Sequence, residues 1–267
     1  MDIELACRVA KGARETNDDR ALLLGIICDD EVVSGVTTLP AVAIVCDGCG
    51  GYDGGSIAAS VVLESLRDIM PKDLMDPVVL AQTLERAEKR IAERKLKYPA
   101  YSHMCTTVVG CIFGEDQTLI FHSGDSRLYR FDGVFLAPMT IDHSAVRALV
   151  DCGKITEEEA LTHPQRNIIT RCMGTGGLPP EIYLSHSAIC PGDIYILCSD
   201  GLWEYVSNNR MIEILCDSAD LSTAAKKLVE VAIENGGDDN ITVILCALKN
   251  CGEPVPEDAK TKLFTLD

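Results

Sequence analysis

With 267 residues, 47% of them hydrophobic, the chain can bury one sizeable core. Its 41 Asp and Glu against 24 Lys and Arg give a net charge of −17, which repels phosphate backbones and anionic lipid heads; neither nucleic acid nor a membrane surface is an expected partner. No apolar run reaches the roughly 18 residues of a membrane helix, and the acidic start "MDIELACRVAKGARETN" does not read as a signal peptide.

Short stretches rich in β-branched residues predict strands at 3–9, 20–28 and 41–46. Two amphipathic helices follow. In 55–70, Ala58, Val62, Leu66 and Ile69 recur at three and four residues. In 77–97, Val79, Leu80, Leu84, Ala87 and Ile91 form a stripe opposite "ERAEKR", after Asp76 as N-cap and Pro77 at the first helical position. Strands at 106–113, 117–123 and 127–131 adjoin through "FGEDQ" and "FDG", which points to antiparallel hairpins. Residues 142–180 are irregular and glycine-rich and predict an appended helical flap. A strand at 193–198, helices at 209–216 and 222–235 ending on Gly236–Gly237, and a strand at 241–248 complete the pattern. Residues 251–267 read as a surface tail. Strands in hairpins and helices in blocks predict an α+β layered fold, with one domain over 1–250. The thirteen cysteines, an odd number scattered through runs such as "LLLGIICDD" and "TVILCAL", predict buried thiols in a reducing, cytoplasmic compartment.

Chemistry enters through the aspartates. "AIVCDGCGG" ends an apolar strand on Asp47 within a glycine nest. Asp18 and Asp19 open the strand at 20–28, Asp125 follows 117–123, Asp200 follows 193–198 and Asp239 precedes 241–248. If these strand ends converge, so many carboxylates cannot all ionise without cations between them. Oxygen ligands with no histidine select hard ions, Mn²⁺ or Mg²⁺, and Gly48 would let a backbone carbonyl come close. Two such ions can activate a water for in-line displacement at phosphorus. Asp53, Asp142 and Asp238 are read instead as turn formers or caps. Arg14, four residues before Asp18, could grip two phosphate oxygens or be a solvated surface charge.

These residues resemble the PPM family of 2C-type, metal-dependent serine/threonine protein phosphatases, in its bacterial form. The stretches that carry the resemblance are "ARETNDDR", "VCDGCGG", "MCTTVVGCIF", "HSGDSRLYR", "MTIDHS", "IITRCMG", "LCSDGLWEYVS" and "DDNITVIL", in order from about residue 8 to 248. The resemblance implies a four-layer αββα sandwich of two antiparallel sheets flanked by helix pairs. It also implies hydrolysis of phosphoserine and phosphothreonine by a hydroxide bridging two Mn²⁺ or Mg²⁺ ions. By position, Asp47 bridges the ions and the Gly48 carbonyl helps to bind one. Asp200 and Asp239 complete the other shell, and Asp19 binds directly or through water. Asp125 joins Asp200 at a third, weaker ion, and Arg14 clamps the phosphate. Thr106, Thr107 and His143 take structural roles. Implied partners are phosphoprotein substrates and a cognate Ser/Thr kinase. Two positions depart from the family: Asp18 stands for a usual glutamate, and Cys49 for a histidine or methionine. Alternative readings are a catalytically dead binding module, a CxxC redox or zinc motif at Cys46–Cys49, and a two-metal nuclease disfavoured by the charge.

Overall fold

The computed structural model describes residues 1–49, 54–185, 190–249 and the backbone of 262–265; Gly50, Gly51, Asp53 and most of the expected tail lie outside the described residues. The chain begins with β1 (Asp2–Ala10), the hairpin β2 (Arg20–Leu23) and β3 (Ile26–Cys28), then β4 (Glu31–Thr38), β5 (Ala41–Cys46) and the two-residue β6 (Gly48–Cys49). Helices α1 (Gly55–Arg67), α2 (Pro71–Leu74) and α3 (Pro77–Lys97) follow, then β7 (Cys105–Thr106), β8 (Val108–Phe113), β9 (Thr118–Ser123), β10 (Arg127–Phe131) and β11 (Leu136–Pro138). The segment 142–180 carries α4 (Ala145–Asp151) and α5 (Glu157–Thr162). Beyond it come β12 (Glu181–Leu184), β13 (Ile194–Cys198), α6 (Asp200–Trp203), α7 (Asn208–Asp217), α8 (Leu221–Glu234), β14 (Ile241–Lys249) and β15 (Lys262–Thr265).

Two antiparallel sheets result. One has the order β11-β10-β13-β14-β1-β4-β15 and the other β12-β9-β8-β5-β2-β3, while β6 and β7 form a separate ribbon. The period of two along each strand sorts side chains between layers. On β1, Ile3, Leu5, Cys7 and Val9 enter the core between the sheets, whereas Ala6 and Ala10 face α8. On β5, Ala41, Ala43 and Val45 take the inter-sheet side; Ile44 and Cys46 pack under α1 and α3. Three apolar layers therefore bind four structural layers into the α+β sandwich.

Helix punctuation follows the sequence closely. The Asp76 carboxylate accepts from Val78 N–H (2.8 Å) ahead of Pro77. Asp220 caps α8 by accepting from Thr223 N–H (2.7 Å), and Gly236 takes the positive φ (93°) that terminates it. Three strand expectations need correction. Residues 20–28 are a hairpin rather than one strand, because Leu24 and Gly25 turn the chain with φ of 52° and 75°. Residues 106–113 divide at Thr107, with β7 pairing to β6 and β8 to β5 and β9. Residues 262–265, expected within the tail, pair with β4.

Register explains why the acidic strand ends meet. Arg20 at the start of β2 pairs with Cys46 at the end of β5. Cys198 at the end of β13 pairs with Val243 near the start of β14, whose Ile241 pairs with Ala10 at the end of β1. All of these positions lie at one end of the sandwich.

Candidate metal centre

Asp47 leaves β5 at that end, and its backbone is fixed from β7. Thr106 Oγ1 donates to the Asp47 carbonyl (2.9 Å), Thr107 N–H donates to the same oxygen (2.8 Å), and Asp47 N–H donates to Thr107 Oγ1 (3.0 Å). The two threonines are fully buried. They fix the backbone of Asp47.

Asp19 is buried before β2, and Ser199 Oγ donates to its Oδ2 (2.8 Å). The same hydroxyl accepts from Thr242 N–H (3.0 Å), so one side chain joins the loops bearing Asp19, Asp200 and Asp239. Asn240 makes a second junction: its Oδ1 accepts from Asp18 N–H (2.8 Å), and its Nδ2 donates to the Lys11 and Thr16 carbonyls (both 2.9 Å). The Asp18 carboxylate turns to the start of α1 and accepts from Ser56 N–H (3.3 Å). Asp125 is buried in the β9–β10 turn, with Trp203 Nε1 donating to its carbonyl (3.0 Å). Neither Ser199 nor Asn240 stood out in the sequence, since each looks like an ordinary neighbour of an aspartate.

The electrostatics show five charges sharing one space. Burial pushes Asp47 well above the ordinary carboxylate range, and the charges of Asp19, Asp200, Asp125 and Asp239 push it further. Asp200 is raised by burial and then by Asp125, Asp239 and Asp19. Burial raises Asp19 to about 6 against the lowering hydrogen bonds of Thr242 and Ser199, and raises Asp125 to about 7, with Asp142 adding to it. Oδ1 of Asp19, Asp125 and Asp200 is buried and accepts no hydrogen bond from the protein. Buried, unpartnered carboxylate oxygens on charge-coupled aspartates fit hard divalent cations, and the set contains no imidazole or thiol that would select a softer ion. The aspartates are spaced more widely than a single-ion site: among the described residues, the groups with three ligand atoms within 4.8 Å of one another are Cys49–Cys105–Cys172 and His122–His143–Glu181.

Arg14 is exposed at the rim and its Nη2 donates to Asp239 Oδ2 (2.8 Å), an ion pair that raises the guanidinium pKa. Gly48 has no room for a side chain. An added Cβ would stand 2.3 Å from the Gly55 carbonyl carbon and 2.7 Å from the Asp18 carbonyl oxygen. His143 Nδ1 accepts from Gly124 N–H (3.1 Å), its ring stacks on His122 with centroids 4.5 Å apart, and its Nε2 faces Glu181 (3.2 Å). Asp142 holds Arg127 with both oxygens (2.9 and 2.7 Å), and Asp238 accepts from the Tyr205 hydroxyl. Arg127 in turn lies over the Trp203 ring, 3.5 Å from its centroid. Beside Asp125 a groove of about 700 Å³ runs between Trp203 and α4–α5, with Arg147 and Arg166 on its wall.

Comparison with known proteins supplies the context for this geometry. Residues 180–241 match the model of the protein phosphatase 2C family. The serine/threonine phosphatase Stp of Listeria monocytogenes is 34% identical over 212 residues, which is 76% of this chain and 83% of that protein. PstP of Mycobacterium tuberculosis, a serine/threonine protein phosphatase, is 32% identical over 219 residues, or 81% of this chain and 41% of PstP. The crystal structure of M. tuberculosis PstP superposes with a TM-score of 0.80 at 30% identity, covering 94% of this chain and 100% of that one. The PstP catalytic domain in complex with two manganese ions superposes with a TM-score of 0.78 at 28% identity, with the same coverage.

Proposed function

The chain belongs to the protein phosphatase 2C family of metal-dependent serine/threonine phosphatases, and we propose that Asp19, Asp47, Asp125, Asp200, Asp239 and the Gly48 carbonyl form its metal centre. The observation that carries this reading is the mutual charge of five aspartates at one end of the sandwich, three of them with buried unpartnered oxygens. Mn²⁺ or Mg²⁺ fits the set, and the manganese pair held by the related PstP domain supports a count of two. When bound, such ions supply an activated water and neutralise the charge that builds on the phosphoryl oxygens.

The chain's own residues do the rest. Asp47, whose backbone exchanges three hydrogen bonds with Thr106 and Thr107, presents its carboxylate between the loops of Asp19, Asp200 and Asp239. Arg14 at the rim swings its guanidinium from Asp239 to two phosphate oxygens of the substrate. Serine or threonine leaves as the alcohol, and one water ends in the released phosphate. Neither bond change calls for a protein nucleophile. The substrates are phosphoproteins, whose chains lie in the groove beside Asp125 against Arg147 and Arg166. A Ser/Thr kinase that writes these phosphates is the matching partner. Among the described residues no helix is long and apolar enough to cross a membrane.

The test is release of phosphate from phosphoserine, phosphothreonine and phosphotyrosine peptides. Release from the first two with Mn²⁺ or Mg²⁺, lost on chelation and in Asp47→Asn, is the expected outcome. Undiminished turnover in chelator would defeat the assignment.

A further inference from the structure

Six cysteines, Cys7, Cys28, Cys46, Cys111, Cys198 and Cys246, are buried in the three apolar layers. Three others gather elsewhere. Cys49 on β6 and Cys105 on β7 oppose one another across the ribbon with their sulfurs 2.7 Å apart. Cys172, from the end of the 142–180 segment, brings its Sγ within 4.8 Å of both, and all three are half-buried. Cys46, paired with Cys49 only in the alternative CxxC reading, packs under α1 and α3.

The loop bearing Cys172 is held from α3. Glu88 accepts from Gly174 N–H (2.6 Å) and Gly176 N–H (2.8 Å), while Lys95 Nζ donates to the Gly174 carbonyl. The three thiols are coupled: Cys105 and Cys49, against burial, lower Cys172, while contact with Cys105 raises Cys49 and contact with Cys172 pushes Cys105 up to about 12. A thiolate is the form that binds metal. A tetrahedral cation with metal–sulfur bonds near 2.3 Å spreads its sulfurs about 3.8 Å apart and can use all three. A disulfide closes two sulfurs to about 2.05 Å and leaves the third aside. From 2.7 Å, Cys49 and Cys105 part by about 1 Å to reach the first geometry and close by about 0.7 Å to reach the second, but only the first employs Cys172. Three thiolates around a doubly charged ion leave one negative charge, and Lys95 stands beside it.

We propose that Cys49, Cys105 and Cys172 form a second metal site, for a thiophilic divalent cation of the zinc class, with one position left for an outside ligand. Only Gly48 separates it in sequence from Asp47, so a hard oxygen centre and a soft sulfur centre share one ribbon and sort their ions by ligand type. The sulfur site ties the end of the 142–180 segment to β6 and β7.

The test uses the full chain, reduced, stripped with chelator under anaerobic conditions and titrated with Cd²⁺ or Co²⁺ in excess Mg²⁺. The expected result is one equivalent bound with sulfur-to-metal charge-transfer absorption, retained in Asp239→Asn and lost in Cys172→Ser and Cys105→Ser. Thr175→Val, which removes the hydroxyl that donates to the Cys172 carbonyl (3.0 Å) and so fixes that cysteine, lowers the affinity roughly 10- to 100-fold. Absence of the charge-transfer band from the unmodified chain, or isolation of that chain with two of these thiols already joined, overturns the proposal. The spectrum of the unmodified chain identifies the ligands by itself, so a serine variant that fails to fold does not remove the test. Because the readout is not phosphate release, it also separates this site from the aspartate centre.

Discussion

Arg14 and Asp239 stand 2.8 Å apart, and in the proposed site this contact links two binding events. A guanidinium engaged with Asp239 has fewer donors for a phosphate, and an aspartate engaged with Arg14 is a poorer ligand for a cation. Phosphate and metal therefore favour each other's arrival, in equal measure by linkage. Arg14→Ala removes charge-assisted hydrogen bonds of about 1.5–3 kcal/mol to the phosphate, so KM for a phosphopeptide should rise roughly ten- to hundredfold. Mn²⁺ affinity, measured calorimetrically without substrate, should hold or increase in the same variant. A fall in metal affinity would show Arg14 to be part of the metal shell.

At the scale of single elements, the site depends on backbones that touch. The start of α1 presses on β6 so closely that Gly48→Ala sets a methyl 2.3 Å from the Gly55 backbone. Overpacking of this kind costs about 1–3 kcal/mol, and here it also displaces the loop after Asp47. Denaturant unfolding should show that loss, and Mn²⁺ titration should show weaker binding; unchanged values in both would mean that α1 moves aside freely. Elements with strong periodicity were legible in the sequence: the stripe of α3 and its Asp76–Pro77 start, the long strands β1 and β14, and the aspartates at strand ends. The misses have physical causes. β4, "EVVSGVTT", hides behind Ser34 and Gly35, and β6, β7 and β11 are too short for a period to register. Ser199, Asn240 and the Cys105–Cys172 pairing with Cys49 join distant segments, and a single sequence carries no signal for that. The residue types of the proposed site were readable, whereas their wiring required the fold.

For the molecule as a whole, the acidic end sets how stability varies with pH. Asp19 at about 6 and Asp125 at about 7, with Asp47 and Asp200 also raised, lie above the ~3.9 of an unfolded aspartate. Between roughly pH 4 and 7 the cation-free folded chain thus holds more protons than the unfolded one, and its stability falls as pH rises. This contribution is complete below about pH 4 and gone above the folded values. The melting temperature of chelated protein should decline from pH 5 to 7.5, less steeply in Asp125→Asn, and Mn²⁺ should restore it at pH 7.5. An identical slope in the variant would place the effect elsewhere, in the −17 net charge.

The wiring also reaches outward. Thr106, whose hydroxyl holds the Asp47 carbonyl, exchanges two backbone hydrogen bonds with Met173 (3.0 and 2.8 Å) at the far end of the 142–180 segment. A protein that leans on this segment as it docks loads the same tether that aims the central carboxylate. A small aryl phosphate exerts no such leverage. Grip on the remote parts of a large substrate can accordingly be converted into speed rather than tightness, and turnover number, more than half-saturation, should distinguish a phosphoprotein from p-nitrophenyl phosphate.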